Sequence, residues 1–291
     1  MDFLRLLLKD KRYVKLAYMT GILPIKKYGT HSALNMFEEY SMMNPGVFAP
    51  YVGFIEDEVK GLCQRYHMDF LETERWYDGY QFRKVAHVYS PKSVVDAMLR
   101  EEFDSYWSQT ETYEALKIYI DMNFDGLKDA IVLMLGGIRC KINPRTFQND
   151  MTTFQSKDDV LTLLIHLGYL AYDIDSKEVF IPNQEVAYEF ASAIEGAGWK
   201  EVVKSIVASE ELLHATLQKD AKAVAKGIEE AHREAISILQ YHNENALSCA
   251  VSLAYFSART YYVLIREMPT GRGFADIVFC CAKITHRSPP S

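Results

Sequence analysis

Apolar residues along this chain fall mostly at helical spacing, broken by a few short runs of β-branched and aromatic residues. Residues 2–11 put Phe3, Leu4, Leu7 and Leu8 on one helical face. Residues 13–20 read as a strand that ends at Gly21 and Pro24, followed by a polar loop over 25–32 and a helix over 33–40. Over 56–66, Val59 and Leu62 keep helical spacing behind Glu56, Asp57 and Glu58, acids that suit a helix N-terminus. Trp76-Tyr-Asp-Gly-Tyr80 reads as an aromatic-framed Asp-Gly turn in a packed hairpin, with Asp78 as a functional acid the lesser alternative. Ser90 and Pro91 carry the grammar of a helix start, and a second helical block covers 112–122.

The apolar run 130–135 stops at Gly136-Gly137, and Ser156 caps a helix with apolar positions 160, 161, 164 and 167. A hairpin follows, 169–172 against 178–181 across an acidic turn. Helices followed by a two-stranded wing are the layout of a winged helix, a module that can bind DNA. Asp158, Asp159 and the acidic wing argue against phosphate contact, and His166 fits the core or its rim. Residues 183–239 are helical, with an Ala-, Glu- and Lys-rich connector over 220–239. Glu244 opens a helix carrying Leu247, Val251, Ala254 and Tyr255. Two strands, 261–265 and 274–279, then flank a turn of Pro269, Thr270, Gly271, Arg272 and Gly273. Asp276 lies among apolar neighbours in the second strand, where a carboxylate needs a partner or a cation; it is a candidate metal ligand.

Length changes this picture little: 291 residues make two domains, or three small ones. Hydrophobic residues at 49% and charged residues at 24% are ordinary for a soluble globular chain. A net charge of −7 excludes a protein that coats nucleic acid by bulk electrostatics, while leaving room for a local basic groove. Cys63, Cys140, Cys249, Cys280 and Cys281 have no metal-ligand spacing, and their odd number fits reduced thiols, so a cytoplasmic location is expected. The vicinal Cys280-Cys281 pair offers redox chemistry as a minor alternative. The apolar run near the N-terminus is short and broken by charges, so neither a signal peptide nor a membrane interaction is expected.

Met19-Thr-Gly-Ile-Leu23, Ser32-Ala-Leu-Asn35, Gly53-Phe-Ile-Glu-Asp-Glu-Val59, Trp76-Tyr-Asp-Gly-Tyr80 and Tyr89-Ser-Pro-Lys-Ser-Val94 occur in that order. Together with residues 243–259 and the hairpin after them, they resemble the bacterial AAA-ATPase-like family with a C-terminal PD-(D/E)XK nuclease-like domain. The resemblance implies an α+β, predominantly helical fold. Its parts are the edge of an ATPase core over 1–55, a lid-like region over 56–105, a winged-helix-like module over 106–195 and a helical connector over 196–240. A truncated nuclease-like domain over 241–279 and an aberrant tail over 280–291 complete the division.

The same resemblance makes Thr20, at the carboxyl end of its strand, a γ-phosphate sensor and puts Ser32 and Asn35 beside the nucleotide. Asp276 becomes the central magnesium ligand and catalytic acid, Glu244 the helix-borne one, with Glu267 a weaker substitute. ATP and magnesium are the implied cofactors of the parent protein, and nucleic acid its partner. The departures are as informative. No G-x-x-x-x-G-K-[ST] loop is present, Gly136-Gly137 and Gly196-Ala-Gly198 lack its lysine, and no Glu-x-Lys follows Asp276. The expectation is an internal fragment that lacks its N-terminal ATPase core, with no functional cofactor, inactive by itself toward ATP and DNA. A non-catalytic helical interaction protein that binds a protein or nucleic acid is the alternative.

Overall fold

The computed structural model describes residues 2–23, 37–107, 112–122, 124–196, 199–238 and 244–281. It is an α+β fold, mainly helical, with small antiparallel sheets. Helix α1 (Asp2–Leu8) precedes an irregular segment in which the expected strand over 13–20 does not form. A strand needs a neighbour to take its ladder hydrogen bonds, and among the described residues none pairs with this one. The expected helix over 33–40 lies partly outside the described residues, and residues 37–40 are irregular.

Strand β1 (Phe54–Ile55) runs directly into α2 (Glu56–Tyr66), where the Ile55 amide donates to Glu58 Oε2 at 3.0 Å. Asp69 then caps α3 (Phe70–Tyr77), accepting from the Glu72 amide at 2.8 Å. Trp76 and Tyr77 close this helix instead of framing a hairpin turn, and Asp78-Gly79 is the corner into β2 (Tyr80–Phe82). Strand β3 (Val85–Tyr89) lies between β1 and β2, and α4 (Pro91–Arg100) follows with Pro91 in its first turn, as its sequence indicates. Val59, Trp76, Tyr77, Tyr89, Val94 and Met98 form the core of this unit.

The next unit strings α5 (Thr112–Asp121), α6 (Leu127–Leu135), β4 (Cys140–Lys141), α7 (Lys157–His166), β5 (Ala171–Asp173) and β6 (Glu178–Phe180) in order. The expected two-stranded wing gains a third strand, giving the antiparallel order β4-β6-β5. Helix α7 is buried over every residue from Asp159 to Ile165, and its acids are structural. Asp159 accepts from Thr146 Oγ1 at 2.6 Å and the Gln155 amide at 2.8 Å, and Asp158 from the Asn143 amide at 2.9 Å.

Helix α8 (Gln184–Gly196) closes the unit against α5, and α9 (Lys200–Leu217) is one continuous helix within the stretch expected to be helical. α10 (Ala221–Ile238) and α11 (Glu244–Ala254) pack on α9. The last hairpin, β7 (Tyr262–Pro269) and β8 (Phe274–Cys281), is longer than its pattern implies. Cys280 and Cys281 pair with Val263 and Tyr262, so β8 continues into the residues expected to be tail. No helix among the described residues is long and apolar enough to cross a membrane.

The first two units are locked at one seam. Tyr80 Oη donates to the Gly168 carbonyl at 2.5 Å, and Asn183 Nδ2 to the Asp78 carbonyl at 2.8 Å. Gly79 has φ +116°, and a β-carbon on it would lie 2.0 Å from the Pro182 carbonyl oxygen. Only glycine satisfies both conditions. Behind the seam, Glu185 takes the amides of Tyr106 and Trp107 at 2.7 and 3.0 Å, while Ser105 Oγ donates to Glu189 at 2.5 Å. Two buried carboxylates thus hold the segment between α4 and α5. Burial pushes the Glu185 carboxyl up to about 7, against the opposing pull of Ser93 and those two amides.

Candidate functional site

The elements expected to carry metal chemistry meet the rest of the fold at the end of α6. Gly136 lets α11 come close: a β-carbon there would stand 2.5 Å from Cys249 Sγ and 3.2 Å from Cys249 Cα. Cys249 is buried, its thiol donates to the Val132 carbonyl at 3.5 Å, and burial pushes its pKa up to about 12, which leaves it an inert core group.

Two arginines then take the carbonyls that α6 leaves open at its end. Arg259 Nη2 donates to the Leu135 carbonyl at 2.7 Å, and Arg266 Nη1 to the Gly136 carbonyl at 2.8 Å. Cations at a helix C-terminus also complement the negative end of its dipole. Arg266 Nη2 reaches Ser248 Oγ of α11 at 2.5 Å, so one guanidinium ties β7, α6 and α11 together. Arg75 of α3 donates to the Arg259 carbonyl at 2.6 Å and the Thr260 carbonyl at 3.4 Å, and pairs closely with Glu72. The hairpin's base is therefore fixed to both earlier units by planar, multidentate donors.

The hairpin's base also packs on the helices, with the rings of Tyr255 and Phe279 5.1 Å apart. Its far end turns at Thr270, whose amide donates to the Gly273 carbonyl at 2.8 Å. Asp276 lies in β8 and is exposed, so burial does not demand a partner for it; the apolar neighbours along the strand are only half-buried. The pairs Arg266 with Ile277 and Met268 with Ala275 place Glu267 across from Asp276. Glu267 has φ +51°, uncommon for a side chain of its size, and like charges directly opposite disfavour strand pairing.

The remaining sequence-predicted residues scatter. Glu244 is the first residue of α11, and α11 touches β8. Thr20 is exposed in an irregular segment, with no strand to present it. Ser32 and Asn35 lie outside the described residues. Among the described residues, no third ligating group joins Asp276 and Glu267. Between the first sheet and the end of α7, a cleft of about 210 Å³ is lined by Tyr80, Tyr89, Trp107 and His166. It falls short of the roughly 300 Å³ where small-molecule pockets begin.

Sequence reasoning passed over Arg75, Arg259, Arg266 and Glu185. In a sequence each is one more charge on an amphipathic helix or strand, and its role exists only once a distant carbonyl or amide arrives. Glu74 and His87 were passed over as well, although Glu74 and Asp78 stand four residues apart, one helical turn. No protein-family model, curated protein or solved structure matches the chain.

Proposed function

We propose that this chain is the non-catalytic part of an ATP-linked, magnesium-dependent nucleic-acid-processing protein, holding half of a nuclease metal site at Glu244 and Asp276. The observation that carries this reading is the succession of α11, opened by Glu244, and a hairpin with Asp276 in its second strand, packed on each other through Tyr255 and Phe279. A helix acid and a strand acid on neighbouring elements are the ligand types that a divalent cation bound mainly by carboxylates and water takes. The order α6, β4, α7, β5, β6 with β6 in the middle of its sheet supports a winged-helix module beside it.

That module is not shaped to read DNA through α7. Exposing Leu161, Leu163, Leu164 and Ile165 would cost about 1.5–3 kcal/mol each, more than a few phosphate contacts return. We therefore assign α7 to the core and the approach of nucleic acid to the face of β8 that bears Asp276. The chain has no Walker loop, and we assign it no ATP hydrolysis.

Mn²⁺, as a paramagnetic substitute for Mg²⁺, tests the half-site by selective broadening of amide resonances. The expected outcome is broadening centred on β8 and the start of α11, weakened in Asp276→Ala, with no DNA cleavage by the same preparation. Unchanged broadening in Asp276→Ala removes the half-site. Metal-dependent cleavage that Asp276→Ala abolishes removes the claim of inactivity.

A second reading, an interaction protein for a protein or nucleic-acid partner, is favoured by the segment after α1. Leu16 and Tyr18 are 87% and 81% exposed there, and Tyr13, Met19 and Ile22 are also exposed. Apolar side chains this dense without a core suit a protein contact. Concentration-dependent association that Leu16→Lys abolishes, combined with no metal effect at β8, would select this reading over the first.

A further inference from the structure

The end of α3 gathers three groups that the nuclease reading does not use. Asp78 follows the last helical residue, its amide bonded to the Glu74 carbonyl at 3.0 Å, which sets Glu74 and Asp78 one turn apart. His87 stands opposite in β3, with its Nδ1 2.6 Å from Asp78 Oδ2. One ligand atom from each of Glu74, Asp78 and His87 lies within 4.8 Å of the others.

Asp78 is 8% exposed, and its second oxygen, Oδ1, is shut away from water. The Gly79 amide faces the carboxylate, yet Oδ1 completes no hydrogen bond. A buried carboxylate with one oxygen unpaired holds its charge at a cost, and a cation on its other oxygen, Oδ2, lowers that cost for the whole group. Glu56, at the start of α2, adds negative charge to the same place, shared with Lys60 at 2.5 Å. His87 keeps the side open to solvent, its side chain 41% exposed, so an ion has a way in.

We propose that Glu74, Asp78 and His87 bind a divalent transition-metal ion of the Zn²⁺ class, with water completing the shell. An imidazole with two carboxylates favours such an ion over Mg²⁺, which takes oxygen ligands almost alone. Metal–ligand bonds of about 2.0–2.2 Å set neighbouring ligand atoms roughly 3 Å apart, so the ion takes the place of the proton between His87 Nδ1 and Asp78 Oδ2. A small rotation of the half-buried Glu74 side chain supplies the third bond. The ion then joins the end of α3 to β3, next to the contacts of Asp78 with Asn183 and of Gly79 with Pro182. Binding to the folded chain alone raises its thermal midpoint with metal concentration.

The test uses the full chain, stripped with a chelator, titrated with ZnCl₂ by calorimetry and with Co²⁺ by visible absorption. One ion per chain is expected, bound at least about tenfold more weakly in His87→Ala and in Glu74→Gln. The Co²⁺ spectrum should show ligand-field bands without thiolate charge transfer. Glu74→Gln changes a half-buried side chain by one atom, and circular dichroism verifies that both variants fold. Zinc binding that persists unchanged in both variants, a thiolate charge-transfer band, or no binding by the wild-type chain overturns the proposal. The site is remote in sequence from Asp276, so the Asp276→Ala result at β8 stands or falls separately.

Discussion

The seam between the first two units and the hairpin that ends the described chain are opposites in how they treat charge. At the seam, Glu185 and Asp78 are buried; the Tyr106 and Trp107 amides reach the Glu185 carboxylate, and the Asn183 side chain donates to the Asp78 backbone carbonyl. On the hairpin, Asp276 and Glu267 stand exposed at opposite positions of the two strands. The Glu185 carboxyl at the seam serves the fold, and its removal should cost stability. The carboxylates on the hairpin have no buried partner to serve among the described residues, and the fold should not miss them.

The sharpest way to break this contrast is Gly79→Ala. The new methyl group meets the Pro182 carbonyl oxygen, a backbone atom, at 2.0 Å, in a conformation with φ +116°. Neither side can move without opening the seam, so a loss of about 3–5 kcal/mol is expected in urea unfolding. A loss under about 1 kcal/mol would mean that the seam is loose and the two units are independent.

Next in size is the pH dependence set by Glu185. Its carboxyl titrates at about 7 in the folded chain and near 4.5 when unfolded. Below 4.5 both states hold the proton; between the two values the folded state keeps it and the unfolded state gives it up. Stability from this group is therefore fully present in acid and is lost as pH rises through about 7, a fall of about 3 kcal/mol. Burial raises Asp78 and Glu189 too, and their slopes have the same sign. The difference between wild type and Glu185→Gln isolates the one residue: the variant should show the flatter profile of unfolding free energy from pH 5 to 8. Parallel profiles would mean that Glu185 ionises freely in place.

Much of the helical framework was legible because its signals are local. Acids in the first turn of α2, Pro91 at the start of α4 and the diglycine after α6 each act within one helical turn, and all three helices form where those signals put them. Strands were legible only as hairpins. The last hairpin and β5–β6 carry both partners in one stretch, whereas residues 13–20 have strand composition and no partner. β4 is two residues long, too short for any period, and forms because β6 accepts it. Site residues follow the same rule. Asp78 was visible as an acid among aromatics, but His87 belongs to another element, and the chelating distance between them exists only after β3 has paired. Glu185 looked like an ordinary first-turn acid, since burial by a segment some 80 residues earlier leaves no local trace.

Smaller again is Arg266→Met, which keeps the apolar stem and removes the guanidinium bonded to Gly136 and Ser248. Two charge-assisted contacts are lost, one of them to a helix terminus, and about 1–2 kcal/mol should go with them. Hydrogen exchange should rise in β7 and β8 more than in α2 or α4. Uniform exchange across the chain would show that the arginine is not what fixes the hairpin.

The smallest effect is also the one that separates a site from a scaffold. Asp276→Asn removes one of two facing charges on an exposed strand, and the change in unfolding free energy should stay within about 0.5 kcal/mol, in the stabilising direction. Glu267→Gln should do the same, and the double variant should gain less than the sum, because removing either charge already ends the repulsion. A residue that the fold would be more stable without is held for something other than the fold, and the half-site proposed for Asp276 with Glu244 gives it a use. If Asp276→Asn instead costs 1 kcal/mol or more, roughly the worth of a good hydrogen bond, the carboxylate has a structural partner and the half-site loses its best physical support.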